Sequence, residues 1–223
     1  MYYNVRVKTF PDGTKQYFYS ENVKQRDYEV EERNITGENC ERKKRENASR
    51  AKQVVYDLAR ANHFDWFITM TFDQQKVDRY DYDQCAHAIK CFTKMLCKNG
   101  NSWIIVPEQH KDGAYHFHGL VSGDLDLTYH GGGVYNLNKF NYGFTTASRI
   151  KDGQKIASYV AKYMSKQFTA PKGRKSYWAS RSLQRPVEEY EVMTLEEFGE
   201  IFNGCRYQKQ IDSPYGKYLL AET

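Results

Sequence analysis

Three side chains in the middle of the sequence have the types and spacing of a metal site. His116 and His118 flank Phe117 in the β-prone run YHFHGLV, and Glu108 precedes them in SWIIVPEQ. Successive side chains of a strand point to opposite faces, so the two imidazoles share one face, about 7 Å apart. Two imidazoles and a carboxylate from the neighbouring strand can converge on one cation.

The turn HKDGA between the two strands decides whether Glu108 joins the histidines. A two-residue loop, DG, would pair Glu108 with Phe117 and send the carboxylate to the other face. A three-residue loop, KDG, with Gly113 in the left-handed conformation, pairs Glu108 with His116 and is a common hairpin geometry. We predict the three-residue loop, which places all three side chains on one face.

This ligand set suits Mn²⁺ or Mg²⁺ in a site that handles phosphate, and Zn²⁺ is a weaker option. The alternative is that His116 and His118 are half-buried strand residues that donate to backbone carbonyls. His110 is expected in the turn, from where it could lie near the three ligands.

Two tyrosines and two lysines share one face of a predicted helix. They lie at positions i, i+3, i+4 and i+7 of QKIASYVAKYMSKQF and are Tyr159, Lys162, Tyr163 and Lys166. The alternative is amphipathic packing, with the tyrosine rings buried and the lysines reaching outward. In the catalytic interpretation, a phenol attacks a DNA phosphate, and a lysine ammonium stabilises the phenolate and the developing charge.

A basic and aromatic segment surrounds and follows this helix. Between Gly153 and Val187 there are eight Lys or Arg residues and no Asp or Glu, so the window carries +8 and the rest of the chain −3 of the net +5. Phosphate neutralisation combined with aromatic stacking is typical of proteins that bind single-stranded nucleic acid. The alternative is a solvated basic face. The DNA-binding candidates are Lys172, Arg174, Lys175, Tyr177, Trp178, Arg181 and Arg185.

The order of predicted elements indicates how these groups are positioned. An N-terminal hairpin around PDGT precedes a charged helix, the strand DWFITMTF and a helix that ends at Asn99 and Gly100. The strands with Glu108 and the histidines follow, then a Gly-rich loop, the strand YGFTTASRI, the tyrosine helix and a helix near 194–203. This order predicts an α+β fold with helices packed on a central antiparallel sheet. We expect three segments: 1–62 as hairpin and basic helix, 63–170 as the core, and 171–223 as a basic and then acidic extension packed on the core.

The composition indicates which cellular compartment and which class of protein are expected. The mean hydropathy of −0.83 and 27% charged residues predict a soluble chain. No apolar run approaches the roughly 18 residues of a membrane span, and the N-terminus MYYNVRVKTF does not read as a signal peptide. The five cysteines form no C-x-x-C pair, which favours reduced thiols in a cytoplasm.

The motifs resemble those of rolling-circle replication initiators of the HUH endonuclease superfamily. WFITMTF resembles their first motif, HFH the second (histidine, hydrophobic residue, histidine), and YVAKYMSK the third, which carries the catalytic tyrosine and its lysine. The presence of both Tyr159 and Tyr163 resembles the two-tyrosine subclass of phages and related plasmids. YWASRSLQRP is similar to a segment that follows the third motif, so the resemblance covers about Asp65 to Pro186.

The resemblance implies a ferredoxin-like or RRM-like endonuclease core that nicks and rejoins single-stranded origin DNA with a divalent cation. A tyrosine would retain the 5′ phosphate as a covalent protein–DNA link and free a 3′ hydroxyl as primer. The chain has no G-x-x-x-x-G-K-[ST] motor motif, so a host helicase and polymerase are implied partners, in the cytoplasm of a bacterial host. A relaxase, a transposase of related chemistry and a non-catalytic module that binds single strands are the alternatives.

Overall fold

A computed structural model describes residues 1–26, 37–163, 171, 173–213 and 216–223. The elements in chain order are β1 (Tyr2–Thr9), β2 (Lys15–Gln25), α1 (Gly37–Ala61), β3 (Trp66–Phe72), α2 (Tyr82–Lys98), β4 (Trp103–Gln109), β5 (Tyr115–Val121), β6 (Leu127–Gly131), β7 (Val134–Leu137), β8 (Gly143–Arg149), α3 (Gly153–Tyr163), β9 (Trp178–Ala179), β10 (Val187–Glu191), α4 (Leu195–Gly204), β11 (Tyr207–Ser213) and β12 (Gly216–Glu222).

The chain divides into two compact units. The first unit combines Met1–Asn34 with Arg185–Thr223, and the second is Ile35–Gln184. The boundaries of these units differ from those of the three segments predicted above. The reason is strand pairing between the two ends of the chain, because β1 pairs with β10 and β2 with β12.

The first unit is an antiparallel sheet with one helix packed on it. Its strand order is β10-β1-β2-β12-β11. Helix α4 begins with a capping box in which Thr194 accepts from the backbone N–H of Glu197 and Glu197 accepts from that of Thr194. Phe198 of α4 is fully buried, and its ring centroid lies 5.0 Å from that of Tyr19 in β2.

The second unit is a seven-stranded antiparallel sheet with helices on both faces. The strand order is β6-β7-β8-β3-β5-β4-β9. Helix α2 packs Ile89 and Phe92 against the face that carries Ile68 and Phe117. Helices α1 and α3 pack on the opposite face, where the buried residues are Val55, Leu58, Ala59, Phe64, Ile104, Val106, Leu120, Ala157 and Val160.

The α+β prediction is confirmed, since antiparallel sheets carry the helices. The helix predicted to end at Asn99 and Gly100 does so, with Asn99 as the C-cap and Gly100 at a φ of 77°. The sequence predicts only a Gly-rich loop at 131–133. In the structure Gly131 is the last residue of β6, and Gly132 and Gly133 form the turn of a hairpin between β6 and β7. The last three strands were also not predicted.

Among the helices of the described residues, none combines the length and the apolar character that crossing a bilayer requires.

Candidate functional site

The hairpin of β4 and β5 has the register that brings Glu108 to the histidines. Glu108 lies opposite His116, and Gln109 lies opposite Tyr115. The turn is closed by two hydrogen bonds, from the N–H of His110 to Ala114 O and from the N–H of Gly113 to His110 O, each 2.9 Å. Gly113 has a φ of 90°, so the predicted three-residue loop with a left-handed glycine is confirmed.

Glu108 and His118 are in direct contact. The Nε2–H of His118 donates to Glu108 Oε2 over 2.7 Å. His118 is buried at 6% exposure, whereas Glu108 is partly exposed. Two cis ligands of a cation with bonds of about 2.1 Å are about 3 Å apart, so these two atoms already have the separation that an octahedral site requires.

Strand β3 supplies a hydroxyl to each histidine from the other side. Thr69 Oγ1 lies 3.1 Å from His118 Nδ1, and Thr71 Oγ1 lies 3.0 Å from His116 Nδ1. A threonine hydroxyl can donate or accept, so it satisfies Nδ1 in either tautomer of the ring. Nδ1 is thereby engaged in both rings, so Nε2 is the nitrogen left for another partner, which for His118 is Glu108 in this structure. Alternation along the strand DWFITMTF puts both threonines on one face, but no signal in the sequence predicts this contact with the histidines.

The surroundings of both imidazoles lower their pKa values, which favours the neutral form. Burial is the main cause that lowers the pKa of His116 to about 4, and the neighbouring His110 and His118 lower it further. Burial also lowers the pKa of His118, against the hydrogen bond to Glu108, which raises it. A neutral imidazole is the form that coordinates a cation.

His110 lies closer to the site than its turn position indicated. Its ring stacks on that of His116, with centroids 3.7 Å apart and an interplanar angle of 8°. Its Nε2 is 3.9 Å from Glu108 Oε2. No sequence signal beyond proximity to the turn could have distinguished this stacking from a solvent-exposed ring.

The donor set matches a hard divalent cation, and its arrangement is incomplete. In the part of the chain that the structure describes, no three His, Cys, Asp or Glu side chains are grouped as a metal site. Glu108 and His118 have the separation of two ligands, while the His116 ring is stacked on His110. One carboxylate and two imidazoles fit Mn²⁺ or Mg²⁺ chemically.

Tyr159 of α3 lies next to this cluster through one intervening ring. Its ring meets that of Phe67 edge-on, with centroids 5.2 Å apart, and Phe67 stacks on His118 with centroids 5.8 Å apart. The two separations together put the Tyr159 and His118 rings no more than about 11 Å apart. Tyr159 as a residue is 45% exposed.

The remaining candidates on α3 are only partly described. Lys162 is exposed and lies three residues after Tyr159 on the same helix. Tyr163 is the last residue of the helix, and its side chain lies outside the described part of the chain, as does the whole of Lys166.

The structure separates the predicted DNA-binding residues into different environments. Trp178 packs against Phe117 and Tyr82, with ring centroids 5.6 Å and 6.2 Å away, and Tyr177 packs against the core on the α1 and α3 face. The Arg174 guanidinium pairs with Asp83 at 2.5 Å. The side chains exposed to solvent are Arg174, Lys175, Arg181 and Arg185, and Lys172 lies outside the described residues.

The indole of Trp178 is half-buried because β9 pairs with β4, opposite Ile105. This contact favours a packing role for Trp178, which spacing in the sequence did not distinguish from stacking on a base. Arg174, Lys175 and Arg181 remain in the second unit as exposed cations, and Arg185 belongs to the first unit.

Comparison with known proteins gives one finding. Residues 65–168 match the model of a family of replication-associated proteins, described by the name ORF2. The matched range contains β3, the hairpin of β4 and β5, and α3, and it supports a replication-initiator family. No curated protein and no solved structure matches the chain significantly.

Proposed function

We propose that this chain is a replication initiator of the HUH type that nicks and rejoins single-stranded origin DNA through a tyrosine. The observation that supports it most is the series of contacts from Tyr159 through Phe67 to His118 and Glu108. A partly exposed tyrosine, a carboxylate–imidazole pair and a replication-family match occur together in one segment of the chain.

The proposed reaction is a transesterification at one phosphodiester. Tyr159 Oη attacks the phosphorus, a new P–O bond to the tyrosine forms, and the P–O bond to the 3′ oxygen breaks. The phenolic proton is released, and the departing 3′ oxygen takes up one proton to become a hydroxyl. The number of phosphodiester bonds is unchanged, so the same hydroxyl can reverse the step and rejoin the strand without a nucleotide cofactor.

Glu108, His116 and His118 are the residues that would hold the divalent cation, Mn²⁺ or Mg²⁺. When bound, this cation supplies Lewis-acid polarisation of the scissile phosphate and fixes its orientation. The threonines of β3 contribute by holding the imidazole Nδ1 atoms, which keeps Nε2 directed away from β3.

Lys162 and Lys166 are proposed to stabilise negative charge on the phenolate and the phosphate, because an ammonium group favours both anions. Tyr163 lies one helical turn beyond Tyr159 and is proposed as the second nucleophile of a two-tyrosine mechanism. In that mechanism one tyrosine holds the first cleaved end while the other cuts the regenerated origin.

The proposed partners follow from this chemistry. Single-stranded origin DNA is the substrate, and the exposed Lys175 and Arg181 are suited to neutralise its phosphates. A helicase and a polymerase of a bacterial host would unwind the duplex and extend the 3′ hydroxyl, in the cytoplasm. The family match leaves open whether the replicon is a phage or a plasmid.

The test is a covalent-adduct assay with labelled single strands that tile the DNA flanking the coding region. Each strand is incubated with the protein and Mn²⁺ and resolved on a denaturing gel. We expect a labelled protein band for the strand that contains the origin, and its loss when Tyr159 and Tyr163 are both replaced by Phe. The single variants Tyr159→Phe and Tyr163→Phe assign the nucleophile, and Tyr129→Phe, exposed in β6, is the matched control.

Two outcomes would overturn the proposal. Reversible gel shifts without a covalent band, on any strand of the tiling set, would identify a non-catalytic module that binds single strands. An adduct that persists in the Tyr159→Phe and Tyr163→Phe double variant would show that the nucleophile lies elsewhere in the chain.

A further inference from the structure

In the part of the chain that the structure describes, the sheet face with the proposed ligands continues beyond α3. Pairing across the four strands β8, β3, β5 and β4 aligns the residues of this face in rows. The first row is Phe144, Thr71, His116 and Glu108, and the second is Thr146, Thr69, His118 and Val106. The third row includes Phe67, which Tyr159 of α3 contacts. Helix α3 therefore covers the third row, and the first row lies beyond it.

Phe144 is the exposed aromatic residue of the first row. Its exposure is 73%; it lies opposite Thr71 of β3, and on the other side β7 pairs with β8 only at Ala147 and Ser148. Isolated exposed apolar residues are common on protein surfaces and carry no meaning alone. Phe144 differs because it shares a face with the Glu108 and His116 pair, two strands away from His116, or about 10 Å at the usual strand spacing.

The neighbours of Phe144 on this face of the sheet have shorter side chains than Phe144 itself. Thr71 lies opposite it in β3, and Thr146, two residues along β8, is also exposed. Both have short polar side chains, and Phe144 itself is 73% exposed, so a planar group can reach its side chain from solvent. A planar, unpaired nucleobase has the shape and the π surface for such a position.

The backbone next to Phe144 is fixed by a close approach of two strands. A Cβ atom added at Gly143 would lie 2.1 Å from Thr71 O and 2.6 Å from the backbone N of Asp73. Only glycine permits this distance, and it keeps β8 paired with β3 to the end of the row, where Gly143 lies opposite Phe72. The position of Phe144 relative to His116 is therefore set by the sheet and not by a loop.

We propose that Phe144 is a stacking platform for an unpaired base of the DNA strand that crosses this face. The base would lie on the β8 side of Glu108 and His116, two rows away from the row that Tyr159 covers. This inference rests on the proposed function, because it takes single-stranded DNA as the ligand. Phe144 touches no reacting atom in it; the ring holds the strand so that the phosphate between base and tyrosine lies over the proposed ligands.

Stacking on a phenyl ring does not depend on which base is bound, because every base has a π face. We therefore expect Phe144 to contribute affinity on any sequence and to add nothing to origin choice. The effect of removing the ring should be about tenfold in dissociation constant, within the range for one base–aromatic stack.

The test measures binding apart from cutting. The Tyr159→Phe and Tyr163→Phe double variant serves as the parent, and a mixed-sequence fluorescent single strand is titrated by anisotropy with Mn²⁺ present. Phe144→Leu, which keeps the apolar bulk and loses the ring, should weaken binding about tenfold. Phe144→Trp should bind as the parent or more tightly. Tyr129→Leu, at 61% exposure in β6, is the matched control and should bind as the parent.

A second readout locates the base. Strands with 2-aminopurine at successive positions should show one position whose fluorescence is quenched by the parent and recovers with Phe144→Leu. Equal binding by the parent and Phe144→Leu, or equal losses with Leu and Trp, would overturn the stacking role.

The two proposals fail in different ways. A wild-type chain that forms the covalent adduct while Phe144→Leu leaves binding unchanged removes only the platform. A wild-type chain that forms no adduct, with binding still dependent on the Phe144 ring, removes the nicking reaction and keeps the platform.

Discussion

Two hairpins of this chain, β1–β2 and β4–β5, have turns of the same type but carry side chains of different kinds next to the turn. In the first, the N–H of Phe10 donates to Thr14 O and the N–H of Gly13 donates to Phe10 O, each over 2.9 Å. His110, Gly113 and Ala114 make the same two bonds in the second hairpin, also at 2.9 Å. The aspartate of each loop, Asp12 or Asp112, accepts from the N–H two residues on, at 3.0 and 3.1 Å.

The turns fix equivalent rows of residues in the two hairpins. Lys8 lies opposite Gln16 at the position where Glu108 lies opposite His116. In the first hairpin this row joins Lys8 to Glu188 of β10 by an ion pair of 3.5 Å, where β1 and β10 are paired. In the second hairpin the same row provides a carboxylate and an imidazole on one face. The turn is therefore a general device for register, and the side chains at a set distance from it determine what the hairpin can do.

His116 and Gln16 occupy equivalent positions in the two hairpins, and replacing each of them by Ala tests the difference between the hairpins. This comparison has the largest expected effect on the rate. His116→Ala removes a proposed cation ligand and should slow Mn²⁺-dependent adduct formation at least about 100-fold, since a metal that polarises a phosphate supplies several kcal/mol. Gln16→Ala changes the residue at the same distance from the other turn and should leave the rate unchanged. The rates are measured on the labelled origin strand, and Mn²⁺ affinity is measured by calorimetry.

The comparison would be broken if His116→Ala retained both the wild-type rate and the wild-type Mn²⁺ affinity. The hairpin would then carry a structural pair of histidines, the alternative that the sequence left open. A loss of rate with Gln16→Ala would instead mean that the first hairpin contributes to the reaction.

The register of the second hairpin could be predicted from the sequence because it depends on local chemistry. A left-handed glycine after two polar residues favours the three-residue loop, and alternation along each strand then determines the face. The pairing of Glu108 with His116 follows from these two rules alone. The contact of Tyr159 with Phe67 required a helix to dock on the sheet, which no local rule provides.

The features that the sequence did not reveal depend on long-range pairing. The basic residues around Trp178 predict a base-stacking residue, and this stays a prediction; what the sequence did not reveal is that pairing of β9 with β4 brings its ring against Phe117. The sheet of the first unit joins the two ends of the chain, since β1 pairs with β10 and β2 with β12. Charge patterning in the sequence describes neighbours along the chain, and these contacts are between residues far apart in it.

The threonines of β3 give a smaller effect that sharpens the comparison between the hairpins. Thr69→Val removes the hydroxyl that contacts His118 Nδ1 and should weaken Mn²⁺ binding about tenfold, the lower end of the range for groups that orient metal ligands. Thr146→Val, an exposed threonine opposite Thr69 in β8, is the matched control and should bind Mn²⁺ as the wild type does. Equal affinities for Thr69→Val and the wild type would mean that the histidine is oriented by packing against Phe67 alone.

The smallest effect concerns the turns themselves. Gly13 and Gly113 have φ values of 83° and 90°, so Gly13→Ala and Gly113→Ala should each lower the free energy of opening their hairpin by about 1 kcal/mol. Neither position adds a clash, because a Cβ at Gly13 meets nothing within 4 Å and one at Gly113 meets Tyr80 at 3.8 Å. Hydrogen exchange of the Phe10 and His110 amides, which close the two turns, measures each loss locally.

Gly→Asn at either position should lower the free energy of opening by less than Gly→Ala does, since Asn tolerates the left-handed region better than Ala does. Similar losses in the two hairpins would confirm that the turn acts as an independent unit, whereas a loss in only one would mean that its surroundings, and not the loop, hold that register.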